Sequence, residues 1–259
     1  MGEFMFPIKH RSEGSNTMRR QRLRKTLLGI SFFLFQYFLI IHLLLSPVLI
    51  VYGAAHGVIQ GSFVVYGLIF LSSLFLGRAF CGWVCPGAGL QELCCLAVKK
   101  KAANRKFYRL KYIVLGIWSF AILYAVIQAG GYHHFDFFFA MDKSSPTRNG
   151  IMFFGVLVLI VPAAFIWGKW ATCHYVCWIA PLMIMGTKIK ERAFWPSLRL
   201  RTQPDRCAAC GVCDDHCPMS LEVSTMVRSG RMDDPECILC GTCVDMCPVD
   251  SIRFSFRER

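Results

Sequence analysis

The fold of the C-terminal part is decided by Cys-Ala-Ala-Cys-Gly-Val-Cys-Asp-Asp-His-Cys-Pro at residues 207–218 and Cys-Ile-Leu-Cys-Gly-Thr-Cys-Val-Asp-Met-Cys-Pro at residues 237–248. Each run places three cysteines at intervals of three and a fourth cysteine, followed by proline, four positions later. This spacing is typical of bacterial domains with two [4Fe–4S] clusters. In such domains three close thiolates bind one cluster and the fourth binds the other.

The eight cysteines are therefore expected to form two interleaved ligand sets. The first set is Cys207, Cys210, Cys213 and Cys247, and the second is Cys237, Cys240, Cys243 and Cys217. A glycine follows the second cysteine of each run, where a tight loop must pass close to a cluster. Zinc ribbons use paired C-x-x-C motifs without these third and fourth cysteines. We predict two [4Fe–4S] clusters in an α+β ferredoxin-like domain at residues 196–259.

The rest of the chain has the composition of a membrane protein. Of its 259 residues, 55% are hydrophobic and only 17% are charged, whereas soluble domains have about 25% charged residues. Four apolar runs are long enough for a bilayer core, which needs about 20 residues. They are residues 27–52, 62–80, 112–129 and 151–167. We predict an all-α membrane unit of four helices at residues 27–195, after a basic cytoplasmic tail at residues 1–26.

The basic residues of the chain indicate its orientation in the membrane. The formal net charge is +13, but Lys and Arg flank the apolar runs and form no continuous surface for nucleic acid. Seven precede the first run and seven lie at 99–111, whereas only two lie between 130 and 150. Arg78 ends its run, where its side chain can reach the interface. The positive-inside rule predicts a multi-pass protein of a prokaryotic inner membrane with both termini in the cytoplasm.

Two further cysteine pairs recur where helix pairs end. Cys81 and Cys85 follow the second apolar run, and Cys173 and Cys177 follow the fourth. A spacing of four places both sulfurs of a pair on one face of a helical turn, and the repetition favours a duplicated two-helix unit. Three interpretations stay open: a third metal or Fe–S site made by all four thiolates, redox-active dithiols, or buried inert thiols.

Together these features resemble the NapH-type ferredoxin-like membrane proteins of periplasmic nitrate reductase systems. The resemblance rests on the four apolar runs, on Gly-Arg-Ala-Phe-Cys-Gly-Trp-Val-Cys-Pro at residues 77–86, on the second C-x-x-x-C motif and on the C-terminal cysteine runs. Related modules occur in a regulator-like membrane protein of nitrous oxide respiration and in a ferredoxin-type protein of methylamine utilisation. One departure is Trp178, which stands where the family has proline after the second pair.

The resemblance implies quinol oxidation and electron transfer through the two [4Fe–4S] clusters. The implied partners are the membrane quinone pool and a respiratory reductase or its ferredoxin-like subunit. The chain would then be an enzyme only as the electron-transfer component of a quinol dehydrogenase complex. The alternative is a redox-sensing or metallocentre-maturation membrane ferredoxin. A structural anchor would not need eight intact ligands.

The remaining cysteines and histidines have less specific signals. Cys94 and Cys95 are expected to be packing residues. His133 and His134 lie in an aromatic loop, where they either accept protons from a quinol or occupy a polar interface. His174 lies between the cysteines of the second pair, so it is a candidate to tune or ligate that site.

Overall fold

The computed structural model describes residues 14–37, 44–98, 100–102, 105–139, 146–193 and 195–257. The part before residue 195 is mainly helical. Its helices are α1 (Gly14–Tyr37), α2 (Pro47–Ala55), α3 (Gly61–Leu76), α4 (Ala79–Trp83), α5 (Pro86–Ala97), α6 (Leu110–Gln128), α7 (Pro146–Trp167), α8 (Ala171–Tyr175) and α9 (Ile179–Arg192). A 3₁₀ turn, Arg105–Arg109, leads into α6, and two short strands, β1 (Val58–Ile59) and β2 (His134–Phe135), pair in parallel.

The first apolar run does not form one continuous helix. Helix α1 already begins at Gly14, inside the predicted basic tail, and α2 begins separately at Pro47. Proline has no N–H and disfavours a helical residue before it, and Ser46 has an extended backbone with ψ of 121°. The basic segment is therefore helical from Gly14 onward, and the run after it is divided at Ser46.

Fewer of the described helices meet the length and hydropathy expected of a membrane span than the four apolar runs predict. Among the described residues, one helix, Phe107–Gln128, is long and apolar enough to cross a membrane by length and composition. Two shorter apolar helices are Gly61–Leu76 and Leu157–Trp167. Helix α3 stops early because Gly77 turns the chain at a φ of 56°. The described residues therefore do not confirm the prediction of four membrane-spanning helices.

The C-terminal domain has the α+β arrangement expected of a ferredoxin-like fold. Its elements are β3 (Ser197–Thr202), a 3₁₀ turn (Pro204–Arg206), α10 (Val212–Asp215), α11 (Val223–Arg228), α12 (Thr242–Met246) and β4 (Ile252–Arg257). Strands β3 and β4 pair antiparallel, from Ser197 opposite Arg257 to Thr202 opposite Ile252. This pairing closes the domain, because it joins the segment before the first cysteine run to the segment after the second.

The two parts of the chain share one hydrophobic core. Trp170 and Met183 of the helical part are fully buried in the same cluster as Met219 and Ile238 of the C-terminal domain. Burying large apolar side chains stabilises a fold by about 1.5–3 kcal/mol each. The C-terminal domain is therefore packed against the helices through this shared core.

Candidate functional site

Two small cavities in the C-terminal domain are each lined by four cysteines. Site I is lined by Cys207, Cys210, Cys213 and Cys247, and site II by Cys217, Cys237, Cys240 and Cys243. These are the two interleaved sets that the spacing predicts. The structure thus brings each set together through chain segments that are far apart in sequence.

The loops that carry the cysteines share one backbone conformation. Ala209 and Gly211 in the first run have φ of 52° and 72°, and Leu239 and Gly241 in the second have 51° and 75°. Positive φ is the region that glycine adopts without strain. A Cβ atom on Gly241 would lie 2.8 Å from the ring of Phe254. Glycine therefore fits this position both by its backbone conformation and by the small space beside Phe254.

The chemistry of the two sites fits [4Fe–4S] clusters. Polar groups lie at hydrogen-bonding distance from the sulfur atoms: the Ser251 N–H donates to the Cys247 Sγ at 3.4 Å, and the Thr242 Oγ1 lies 3.4 Å from the Cys240 Sγ. Burial raises the pKa of the Cys217 thiol to about 12, so this cysteine becomes a thiolate at neutral pH only with a cation beside it. Cluster iron supplies that charge.

The two sites differ in their access to solvent. In site I, Cys210 is exposed and Cys207 is half-buried. In site II, Cys217, Cys240 and Cys243 are all buried. Site I therefore lies near the surface, and site II lies in the interior of the molecule.

The membrane cysteine pairs lie on two turns of matching geometry. Helices α4 and α8 are each five residues long. Each is closed by the N–H of the second cysteine: Cys85 donates to the Phe80 carbonyl at 2.9 Å and Cys177 to the Thr172 carbonyl at 2.8 Å. The repeat seen in the sequence is thus also a repeat in structure.

The two cysteine turns meet at a location that we call the membrane cysteine site. Cys85, Cys173 and Cys177 line one cavity, and Cys81, on the turn that ends at Cys85, has its sulfur 3.4 Å from the Met183 sulfur. The Gln91 amide donates to the Cys173 Sγ at 3.2 Å. In the described part of the chain, no three His, Cys, Asp or Glu side chains are placed to hold a single metal ion. A metal role for these four cysteines stays a prediction.

The membrane cysteine site is packed directly on the loop of site II. A Cβ atom on Gly82, next to Cys81, would lie 2.3 Å from the Ile238 carbonyl oxygen. The Trp83 indole N–H donates to the Leu239 carbonyl at 3.0 Å. Ile238 and Leu239 lie between Cys237 and Cys240. The turn that carries Cys81 therefore contacts the loop of site II directly, at Gly82 and Trp83.

A buried charge cluster also lies between the helical part and the C-terminal domain. Arg78 and Lys111 are fully buried, and both form ion pairs with Glu236, the Arg78 Nη1 at 2.8 Å from the Glu236 Oε2. Burial alone would raise the pKa of Glu236, but the two cations hold it below its ordinary value. The expectation that the Arg78 side chain reaches the membrane interface is wrong, because this side chain is fully buried and paired with Glu236 of the C-terminal domain.

The predicted histidines and Cys95 are not placed as metal ligands among the described residues. His133 and His134 are exposed near β1 and β2, with the His133 ring nitrogen 3.1 Å from the Ala129 carbonyl. The fully buried His174 stacks on Tyr108 at 4.6 Å between ring centroids. Cys95 packs against the shared core.

Comparisons with known proteins agree with this geometry. Residues 199–248 match a family model described as a 4Fe-4S dicluster domain, and this range contains all eight C-terminal cysteines. This is an iron–sulfur protein. Residues 59–102 match a second model, described as a 4Fe-4S binding domain, and that range contains Cys81, Cys85, Cys94 and Cys95.

Three relatives are similar in sequence to this chain. The uncharacterized protein MJ0750 of Methanocaldococcus jannaschii is 27% identical over 73% of this chain and 76% of its own length. The candidate electron transport protein YccM of Escherichia coli is 26% identical over 60% of this chain and 45% of its own, and MJ0749 of M. jannaschii is 28% identical over 58% and 55%. The chain thus covers about half of the latter two. No solved structure shows a significant match.

The separate ligand sets predict that one cluster can be removed alone. Changing Cys210 to Ser should eliminate the cluster of site I and leave the cluster of site II, so iron should fall from about eight to about four atoms in these sites. Iron analysis and EPR after anaerobic purification measure this. Cys94→Ser is the control and should change neither. Zinc in place of iron, or the loss of both clusters in Cys210→Ser, would contradict the assignment.

Proposed function

We propose that this protein takes electrons from membrane quinol and passes them through two [4Fe–4S] clusters to a respiratory reductase or its ferredoxin partner. The observation that carries the proposal is the contact between the first membrane cysteine turn and the loop of site II, together with the exposure of Cys210 in site I. When bound, each cluster stores and releases one electron. The residues of the chain determine where electrons can enter and leave.

Electrons enter at the membrane cysteine site in this proposal. Oxidation of one quinol to quinone releases two electrons and two protons, and the protons pass to water. Two clusters have capacity for the two electrons of one quinol. The match of residues 59–102 to a 4Fe-4S binding domain supports a cofactor at the membrane cysteines, and we propose that these four cysteines hold a third metal or Fe–S site.

Electrons leave at site I. The exposed Cys210 is where the edge of a cluster comes closest to the surface, so we propose that the partner protein docks beside it. Electron transport is also named for the relative YccM. Redox sensing or metallocentre maturation would use the same sites, but neither requires that quinol reduce them.

A membrane location is supported by apolar faces that no part of the described chain covers. On α6, Ile113, Ile117, Phe120 and Ile127 are 58–68% exposed, and on α7 Val158 is 70% exposed. Such a surface is normally covered by lipid or by another protein. We propose a multi-pass inner-membrane unit with four crossings and both termini in the cytoplasm, on the side of the basic loops.

Oriented membrane vesicles test the function and the orientation together. In inside-out vesicles, quinol should reduce the clusters, and the membrane-impermeant oxidant ferricyanide should then reoxidise them because site I faces outward. In right-side-out vesicles, the same oxidant should have no effect until the membrane is opened with detergent. Clusters that dithionite reduces but quinol does not would refute the proposed function. Reoxidation in intact right-side-out vesicles would refute the orientation.

A further inference from the structure

We propose that the quinol headgroup binds in an apolar cavity that ends at the membrane cysteine site, with Gln91 and Thr172 as its hydrogen-bonding partners. The inference rests on the proposed function, because it locates the substrate of that reaction. The sequence offered only His133 and His134 as candidates to accept quinol protons, and neither of these exposed residues lines this cavity.

The cavity lies between α1, α5, α7 and the two cysteine turns. Its volume is about 110 Å³, against about 20 Å³ for each cavity in the C-terminal domain. Its walls are apolar and include Phe32 and Ile160, and its inner end is formed by Cys85, Cys173 and Cys177. A flat ring bound there would lie against the sulfur atoms that are to receive its electrons.

Two residues that line this cavity each carry a buried polar atom with no hydrogen-bond partner in the described part of the chain. The atoms are the Gln91 Oε1 and the Thr172 Oγ1, on side chains that are only 1% and 6% exposed. Buried polar groups in native proteins are normally hydrogen-bonded, so each such atom requires an explanation. The hydroxyls of a quinol supply the explanation: one donates to the Gln91 oxygen, and the other bonds to the Thr172 hydroxyl.

Gln91 also connects the cavity with the cysteines. Its amide nitrogen donates to the Cys173 Sγ at 3.2 Å, which turns its oxygen away from that sulfur. The indole of Trp178, another wall residue, donates to the Tyr66 hydroxyl at 2.6 Å. Trp178 replaces the proline expected from the resemblance, and here it supplies a fixed aromatic surface for a ring.

The outer end of the cavity suits the isoprenoid tail of a quinol. Leu159 lines the cavity and is also 42% exposed on α7, so the cavity reaches the apolar face that we propose to contact lipid. A lipid acyl chain could occupy the same walls. It has no hydrogen-bonding group for Gln91 and Thr172, and it therefore accounts for fewer of the observations.

The test measures quinone binding separately from electron transfer. Short-chain benzoquinone and naphthoquinone analogues are titrated against the intact protein with clusters bound, and tryptophan fluorescence reports the Kd. Thr172→Val removes one hydrogen bond at constant shape and should weaken binding about tenfold, and Gln91→Leu should weaken it similarly. Thr172→Ser keeps the hydroxyl and should bind like the wild type.

A second pair of variants tests the space itself. Ile160→Trp should fill the cavity and abolish binding, whereas Leu123→Trp, at an exposed position of α6, should not. If quinol reduces the clusters and all variants bind the quinones as the wild type does, the quinol site lies elsewhere and only this inference is wrong. Absence of wild-type binding also overturns it. Binding as expected without any reduction by quinol would support the cavity and refute the proposed function.

Discussion

Replacing Glu236 by glutamine should lower the free energy of unfolding by about 3–5 kcal/mol, since it leaves two buried cations without their anion. Arg78 and Lys111 come from the helical part and have no exposed surface, whereas Glu236 belongs to the C-terminal domain. The loss should therefore appear first as separation of the two parts. Thermal unfolding in detergent, followed through the cluster absorbance, measures the effect.

Two further variants make this test specific. Asp233→Asn is the matched control, because Asp233 lies in the same loop but is exposed and pairs only with Arg231 among the described residues. It should change stability by less than about 0.5 kcal/mol. Adding Lys111→Gln to Glu236→Gln returns the buried charge to its original value and should recover part of the loss. Equal stability of Glu236→Gln and Asp233→Asn would show that the charge cluster does not hold the interface.

The pH dependence of stability has a defined direction for this group. Burial raises the pKa of Glu236, but Arg78 and Lys111 outweigh burial and leave it below the ordinary value of 4.5. A carboxyl with a lowered pKa in the folded state stabilises the fold above its ordinary pKa. The contribution should thus be present at neutral pH and be lost as the pH falls below about 4.5 toward the lowered value.

Changing Cys85 and Cys177 together to Ser should abolish reduction of the C-terminal clusters by quinol while reduction by dithionite continues. The physical reason is position: the cavity ends at these sulfurs, and the adjoining turn touches the loop of site II. Stopped-flow absorbance with each reductant separates the two outcomes. The clusters themselves should remain, because neither cysteine belongs to site I or site II.

The control for this experiment is Cys94→Ser, which makes the same chemical change on α5 at a cysteine outside the cavity. It should leave both rates unchanged. If the double variant accepts electrons from quinol at the wild-type rate, Cys85 and Cys177 are packing residues. The proposal of a third metal or Fe–S site would then be wrong, although sites I and II would be unaffected.

The cofactor sites of the C-terminal domain could be predicted from the sequence because their ligands obey a local rule. Three cysteines within seven residues must lie on one short loop, and the position of the fourth cysteine implies exchange between the two runs. The structure brings together both sets, Cys247 with the first run and Cys217 with the second. The repeat likewise predicted that the two membrane pairs lie near each other, and Cys85, Cys173 and Cys177 line one cavity.

The helix boundaries could not be predicted from hydropathy as well as the ligand sets were predicted from cysteine spacing. Apolar runs indicate where a chain avoids water, but they do not show where it turns. Ser46 precedes a proline and is extended, and Gly77 adopts positive φ, so two of the predicted runs end or divide within the described residues. Backbone conformation at single positions decided this, which a window over many residues does not detect.

Only the tertiary structure decided how the two parts meet. Arg78, Lys111 and Glu236 each resemble ordinary surface charges in sequence, and the separation of 158 positions between Arg78 and Glu236 leaves no local sign of their pairing. The same holds for Gln91 and Thr172, which carry unpartnered buried atoms and line one cavity. Ligand spacing is a property of short segments, and a sequence displays it. Burial and partnership are properties of distant segments in contact, so they exist only in the folded chain.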